Sequence, residues 1–148
     1  MKHKLRNAII LTSVCVGSLH IINQFISSAA TVKNLLPIRP GKYFDWRHGR
    51  VYYRKFGSGK PLLLIHDLDP SASAYEWNQL EQQLAKDFTV YSIDLPGCGR
   101  SDKSNMIYTN YFYVQLLNDF TENVIRKKTN VAATGLSGSF VIMAANNN

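Results

Sequence analysis

The sequence predicts an α/β fold, a mostly parallel sheet flanked by helices and preceded by one hydrophobic N-terminal helix. Three observations predict it. No charged side chain occurs from Asn7 to Val32, directly after the basic Lys2, Lys4 and Arg6. Beyond residue 43, short apolar runs of strand length alternate with stretches whose apolar residues recur at helical spacing. With 148 residues, 45% hydrophobic and 11% aromatic, the chain suits one modest domain and is too apolar to be disordered.

The N-terminal apolar heart runs from Ala8 to Ile22 and continues more weakly through Phe25 and Ile26. A basic flank followed by such a run is the layout of a secretory signal or a signal anchor. Residues 8–26 come close to the roughly 20 residues a bilayer span needs, although His20, Asn23 and Gln24 dilute the run. Three readings stay open. A retained anchor would make a single-pass cell-membrane protein with its domain extracytoplasmic. Cleavage near Ala30, after the small residues Ser28 and Ala29, would make a secreted one. A soluble amphipathic helix is the third reading. Lys33, Arg39, Lys42 and Arg47 follow the run closely, so the positive-inside comparison is nearly balanced.

Residues 33–42, with Pro37, Pro40 and Gly41, read as a linker between the 1–32 segment and a 43–148 domain. Tyr43–Arg47 and Arg50–Phe56, rich in aromatic and β-branched residues around His48-Gly49, predict a β-hairpin. Pro61–Ile65 is a continuous apolar run, as expected for a strand buried on both faces. Ser73 with Glu76 forms a capping box for a helix to about Lys86, with Trp77, Leu80 and Leu84 on its buried stripe. Phe88–Ile93 is the next strand. Thr109 or Asn110 caps a helix to about Lys127 carrying Tyr113, Leu117, Phe120 and Val124. Asn130–Thr134 is a short strand, and a further helix begins after it.

The net charge of +7 is unevenly placed. Residues 1–60 hold eleven Lys and Arg against the single acid Asp45, whereas residues 61–148 hold six against nine acids. The basicity therefore belongs to the first 60 residues, as a membrane-proximal or a solvated surface, and basic residues interleaved with stacking aromatics, which nucleic acid would require, are missing. Two cysteines, Cys15 and Cys98, support neither a disulfide framework nor a zinc site. No cofactor or metal is expected.

The chemistry-bearing motif is Gly135-Leu136-Ser137-Gly138-Ser139, placed where the last strand should turn into a helix. Such a nucleophile elbow needs small residues two before and two after the serine, because the backbone bends sharply and leaves Oγ exposed. The new helix would point its first amides at a developing oxyanion.

At this point the chain resembles the α/β-hydrolase superfamily over roughly residues 43–148. Leu62-Leu63-Leu64-Ile65-His66-Asp67-Leu68 matches the strand and His-Gly-x oxyanion loop. Asp94-Leu95-Pro96-Gly97-Cys98-Gly99-Arg100-Ser101-Asp102 matches the family's D-x-P-G-x-G-x-S-D segment, and Ser137 matches the elbow. The resemblance implies that Ser137 is the nucleophile, with the backbone N–H groups of Leu68 and Gly138 as the oxyanion hole and a small acyl or ester molecule as substrate. It gives His66 a loop-shaping role and makes Asp94 and Asp102 structural. Asp67 stands where the family has glycine, and its carboxylate would repel an oxyanion unless it turns away.

Hydrolysis by this family also needs an acid and then a histidine after the serine. Gly138 to Asn148 contains no His, Asp or Glu, and His3, His20, His48 and His66 all lie upstream. The expectation is therefore a truncated N-terminal half of the fold, inactive by itself. The alternative is a non-catalytic, membrane-tethered interaction protein that uses half a hydrolase fold.

Overall fold

The structure, a computed structural model, describes residues 2–32 and 40–146. The chain divides into two compact units, residues 1–37 and 38–148. Most of the expected linker, residues 33–39, lies outside the described residues. In the first unit, helix α1 (Lys2–Val32) is one uninterrupted helix. Its apolar stretch Ile9–Ser27 measures about 28 Å at 1.5 Å per residue, close to the thickness of a bilayer's hydrocarbon. Every described side chain of that stretch is exposed within the unit.

The second unit is built on a five-stranded sheet in the order β1-β2-β4-β3-β5. Strands β1 (Lys42–Trp46) and β2 (Gly49–Phe56) form the expected hairpin, with Trp46 opposite Gly49. Strand β3 (Lys60–Ile65) lies parallel to both β4 (Phe88–Ile93) and β5 (Asn130–Ala133). The sheet is mixed rather than mostly parallel, because the hairpin joins β4 in antiparallel register, Tyr53 opposite Ile93. A two-residue turn can only return the chain antiparallel, whereas the parallel strands are joined by helical crossovers.

The apolar run of β3 is explained by cores on both faces. Leu63 and Ile65 join Tyr91 and Ile93 under Phe112, Tyr113, Leu116, Leu117, Phe120 and Phe140. Leu62, Leu64 and Val90 face the opposite layer, where Trp77 and Leu84 cover them. Alternate residues of one strand thus serve two cores, so no polar position is left after Lys60.

The helices depart from expectation in detail. Ser73 Oγ accepts the Tyr75 N–H, but what it opens is a 3₁₀ turn (Ala74–Trp77) followed by a short α2 (Asn78–Leu84). Leu80, expected on the buried stripe, is 46% exposed; the buried residue of that turn is Glu81, paired with Arg54 of β2. Glu76 does not close the capping box either, since its carboxylate accepts the Asp67 N–H. Helix α3 (Asn110–Phe120) starts at Thr109, whose Oγ1 accepts the Phe112 N–H at 3.2 Å. It ends in a π-helical turn (Thr121–Ile125) closed by Arg126 in the left-handed conformation. Helix α4 (Ser137–Ala145) follows β5 directly. Its Phe140 stacks on Tyr113 of α3, which seats α4 against the first core.

Candidate active site

Three loops meet at the C-terminal ends of β3, β4 and β5, the edge at which parallel sheets carry their ligand sites. The loop after β4 is organised by Asp94, only 2% exposed. Its carboxylate accepts the N–H of Ala74 at 2.7 Å and of Arg100 at 2.8 Å. Ser101 Oγ donates to the Asp94 carbonyl and accepts the Tyr52 N–H, and Asp102 accepts the Arg50 N–H. These bonds satisfy backbone groups that the sheet ladder leaves over and weld the loop to β2. The Arg50 N–H bond holds the Asp102 carboxyl below the usual carboxylate range, against a weaker opposing effect of burial. Asp94 and Asp102 therefore hold structure, in keeping with the sequence reading.

The loop after β3 is pinned by His66, which is fully buried. Its Nδ1 lies 2.7 Å from the Asp67 carbonyl and its Nε2 accepts the Leu95 N–H at 2.9 Å. A carbonyl can only accept and an amide can only donate, so these partners assign the neutral ring with its proton on Nδ1. Burial pushes the His66 pKa down, outweighing the Asp67 carbonyl bond and the nearby Asp94, Glu76 and Asp67 carboxylates. The ring thus ties this loop to the end of β4 and is engaged on both nitrogens.

The third loop turns β5 into α4. The N–H groups of Ser137, Gly138 and Ser139 each bond back three residues, to the carbonyls of Thr134, Gly135 and Leu136. Gly135 carries the left-handed conformation of this bend, with φ of +53°. Leu136 N–H is the one that leaves the turn, donating to Asp67 Oδ1 at 2.8 Å.

The expected site residues therefore come together, but in an arrangement the sequence did not announce. Ser137, expected with an exposed hydroxyl, is fully buried, and its Oγ donates to the His66 carbonyl at 2.6 Å. The physical reason is the bend's location: Gly135 takes the positive φ, and Ser137 enters α4 with its side chain turned inward. Gly138 N–H, expected to face an oxyanion, bonds the Gly135 carbonyl at 3.3 Å. Leu68 N–H, the other expected donor, bonds Asp67 Oδ1 at 2.7 Å. Sequence reasoning missed Glu76 and Leu136 as members of this cluster. The signal that could have found them is Asp67 itself, a carboxylate set among backbone donors where the family has glycine.

Two cavities lie away from this cluster. One, of about 670 Å³, lies beside α3, α4 and β5 and is lined by Leu117, Arg126, Val131 and Val141 among others. The other, of about 700 Å³, lies beside β2 and α2, next to Arg54 and Glu81. Neither is lined by His66, Leu68 or Ser137. Among the described residues, no three His, Cys, Asp or Glu side chains stand together as a metal site would require.

A model of the alpha/beta hydrolase family matches residues 62–146. An uncharacterised protein of Mycobacterium tuberculosis is 31% identical over 118 residues, covering 76% of this chain and 34% of that protein. A soluble epoxide hydrolase of a Corynebacterium species is 44% identical over 54 residues, 36% of this chain and 18% of the enzyme. Among solved structures, a mutant meta-cleavage product hydrolase of Pseudomonas fluorescens, complexed with acetates, superposes with a TM-score of 0.68. It is 26% identical, with 72% of this chain and 40% of that one covered. The chain spans about a third or less of the length of the curated relatives it matches.

Proposed function

The chain belongs to the alpha/beta hydrolase family, and from that premise we propose that it is part of a serine hydrolase of acyl substrates, with Ser137 as nucleophile. In this reading Ser137 Oγ adds to the carbonyl carbon of a small ester. The tetrahedral intermediate collapses to an acyl-enzyme as the alcohol leaves with the serine's proton, and water then releases the acid. The observation that carries the reading is the position of Ser137 at the turn from the parallel strand β5 into a helix, beside the loop of His66 and Leu68. A hydroxyl there suits acyl transfer. Relatives named as hydrolases of epoxides and of meta-cleavage products support hydrolysis of small molecules.

The 148-residue polypeptide by itself is inactive in this reading. Ser137 Oγ donates to the His66 carbonyl, which cannot take its proton. Without a base, a serine nucleophile forfeits several orders of magnitude in rate. The test is p-nitrophenyl ester hydrolysis. The 148-residue chain should turn over no faster than its Ser137→Ala variant. Where the DNA downstream of Asn148 encodes an acid followed by a His, the extended chain should be active, and Ser137→Ala should lower kcat/KM by at least about 10³-fold. Hydrolysis by an extended chain that is indifferent to Ser137→Ala would overturn the nucleophile assignment.

A second reading, a membrane-tethered interaction protein without catalysis, is favoured by the apolar surface around β5 and α4. Val131, Ile142 and Met143 are exposed there, and Leu136 is 68% exposed. An edge strand with such neighbours suits pairing with another chain.

A further inference from the structure

One carboxylate joins the loop after β3 to the turn before α4. Asp67 Oδ1 accepts the Leu68 N–H at 2.7 Å and, 69 residues away in sequence, the Leu136 N–H at 2.8 Å. The fit is close, because a Cβ placed on Gly135 would stand 2.0 Å from the same oxygen. Gly135 thus leaves the volume that the carboxylate fills, and its left-handed φ of +53° independently disfavours any other residue. The acid is braced from behind, since its own N–H donates to Glu76 Oε2 at 3.0 Å. Next to it, the His66 carbonyl holds Ser137 Oγ. The two adjacent residues of the loop therefore each grip one of two adjacent residues of the turn.

We infer that Asp67 is a positioning residue that clasps this loop onto the elbow and keeps the Leu68 N–H from a substrate's carbonyl oxygen until the carboxylate withdraws. The inference rests on the reading of Ser137 as the reacting hydroxyl. An oxygen that sought the Leu68 donor would find it engaged, and its growing negative charge would meet that of the carboxylate. Charge-assisted bonds to backbone amides are among the stronger hydrogen bonds, so the clasped state is the resting one. Opening it frees the Leu68 and Leu136 donors together, because one oxygen holds both.

Residue-resolved amide hydrogen exchange on the full 148-residue chain in detergent micelles tests this without any need for turnover, so its outcome is separable from that of the ester assay. In the wild type, the Leu68 and Leu136 amides should be protected. In Asp67→Ala, those two should exchange at least about tenfold faster while the Leu63 and Leu64 amides inside the sheet keep their rates. Asp67→Asn, which retains an acceptor oxygen without the charge, should fall between. Unchanged exchange at Leu68 and Leu136 in Asp67→Ala would overturn the clasp. Where Asp67→Ala does not fold, the Asn variant decides: selective loosening of those two amides supports the clasp, and uniform loosening or no change overturns it.

Discussion

His66 shows how one side chain can be read correctly from its motif and yet owe its chemistry to packing. Its two ring nitrogens are spent on the Asp67 carbonyl and the Leu95 N–H, and burial lowers its pKa below the ordinary 6.5. In the unfolded chain the imidazole would gain a proton near pH 6.5, while the folded chain still refuses it. The unfolded state then binds more protons, so stability rises with pH across that window. We expect the thermal unfolding midpoint to be highest above about pH 6.5 and to fall as pH drops towards 5.5. In His66→Gln the same pH interval should show a flatter profile. A wild-type midpoint that is flat or rises on acidification would contradict this account. The Asp102 carboxyl, held low by the Arg50 N–H, weakens the fold only in a separate window below about 3.8. The role of His66 was legible because its motif resembles the oxyanion loop of the α/β-hydrolase superfamily, where the histidine shapes the loop. The inward turn of Ser137 was not, because it depends on which residue of the bend takes the positive φ.

At the scale of elements, apolar period found the strands and the presence of each helix but misplaced some helix limits and misjudged one face. Pro61–Ile65 and Phe88–Ile93 were legible because strands between two layers of helices have no polar side to confuse the pattern. The stripe Trp77-Leu80-Leu84 failed at Leu80. A buried partner across the sheet, Arg54 of β2, draws Glu81 inward to an ion pair in which both side chains are less than a tenth exposed. Local sequence does not carry that pairing, since the two residues lie 27 apart. Removing one partner strands the other charge in the interior. Glu81→Ala should therefore destabilise the fold by about 3–5 kcal/mol, read as a shift in the urea midpoint, whereas Leu80→Ala should cost less than about 1 kcal/mol. Equal effects of the two substitutions would refute the buried-pair account. The π turn after Phe120 was equally hidden, because its i to i−5 bond, from Arg126 N–H to the Thr121 carbonyl, has no sequence period of its own.

For the molecule as a whole, the first 32 residues and the hydrolase-family region are separate problems. Helix α1 is long and apolar enough to cross a membrane, and nothing within its own unit covers it. We expect the full chain expressed in cells to sediment with membranes and to resist extraction at alkaline pH, and a form lacking residues 2–32 to be released. A mature chain shortened to about residue 31 and found outside the cell would replace the anchor with a cleaved signal.

The sequence by itself determined the family, the alternation of strands and helices, the basic apolar N-terminal segment and the cluster of residues that meets at the ends of the parallel strands. The alternation and the N-terminal segment follow from residue type and spacing along the chain, whereas the family and the meeting of its three motifs follow from their resemblance to the α/β-hydrolase superfamily. Only the tertiary structure decided that the hairpin makes the sheet mixed, that Glu81 rather than Leu80 is buried, and that Asp67 joins the Leu68 amide, expected to serve an oxyanion, to the distant Leu136 amide. Those outcomes depend on contacts between residues 27 to 69 positions apart. Which buried donor meets which acceptor is settled by the folded geometry, and no local pattern records it.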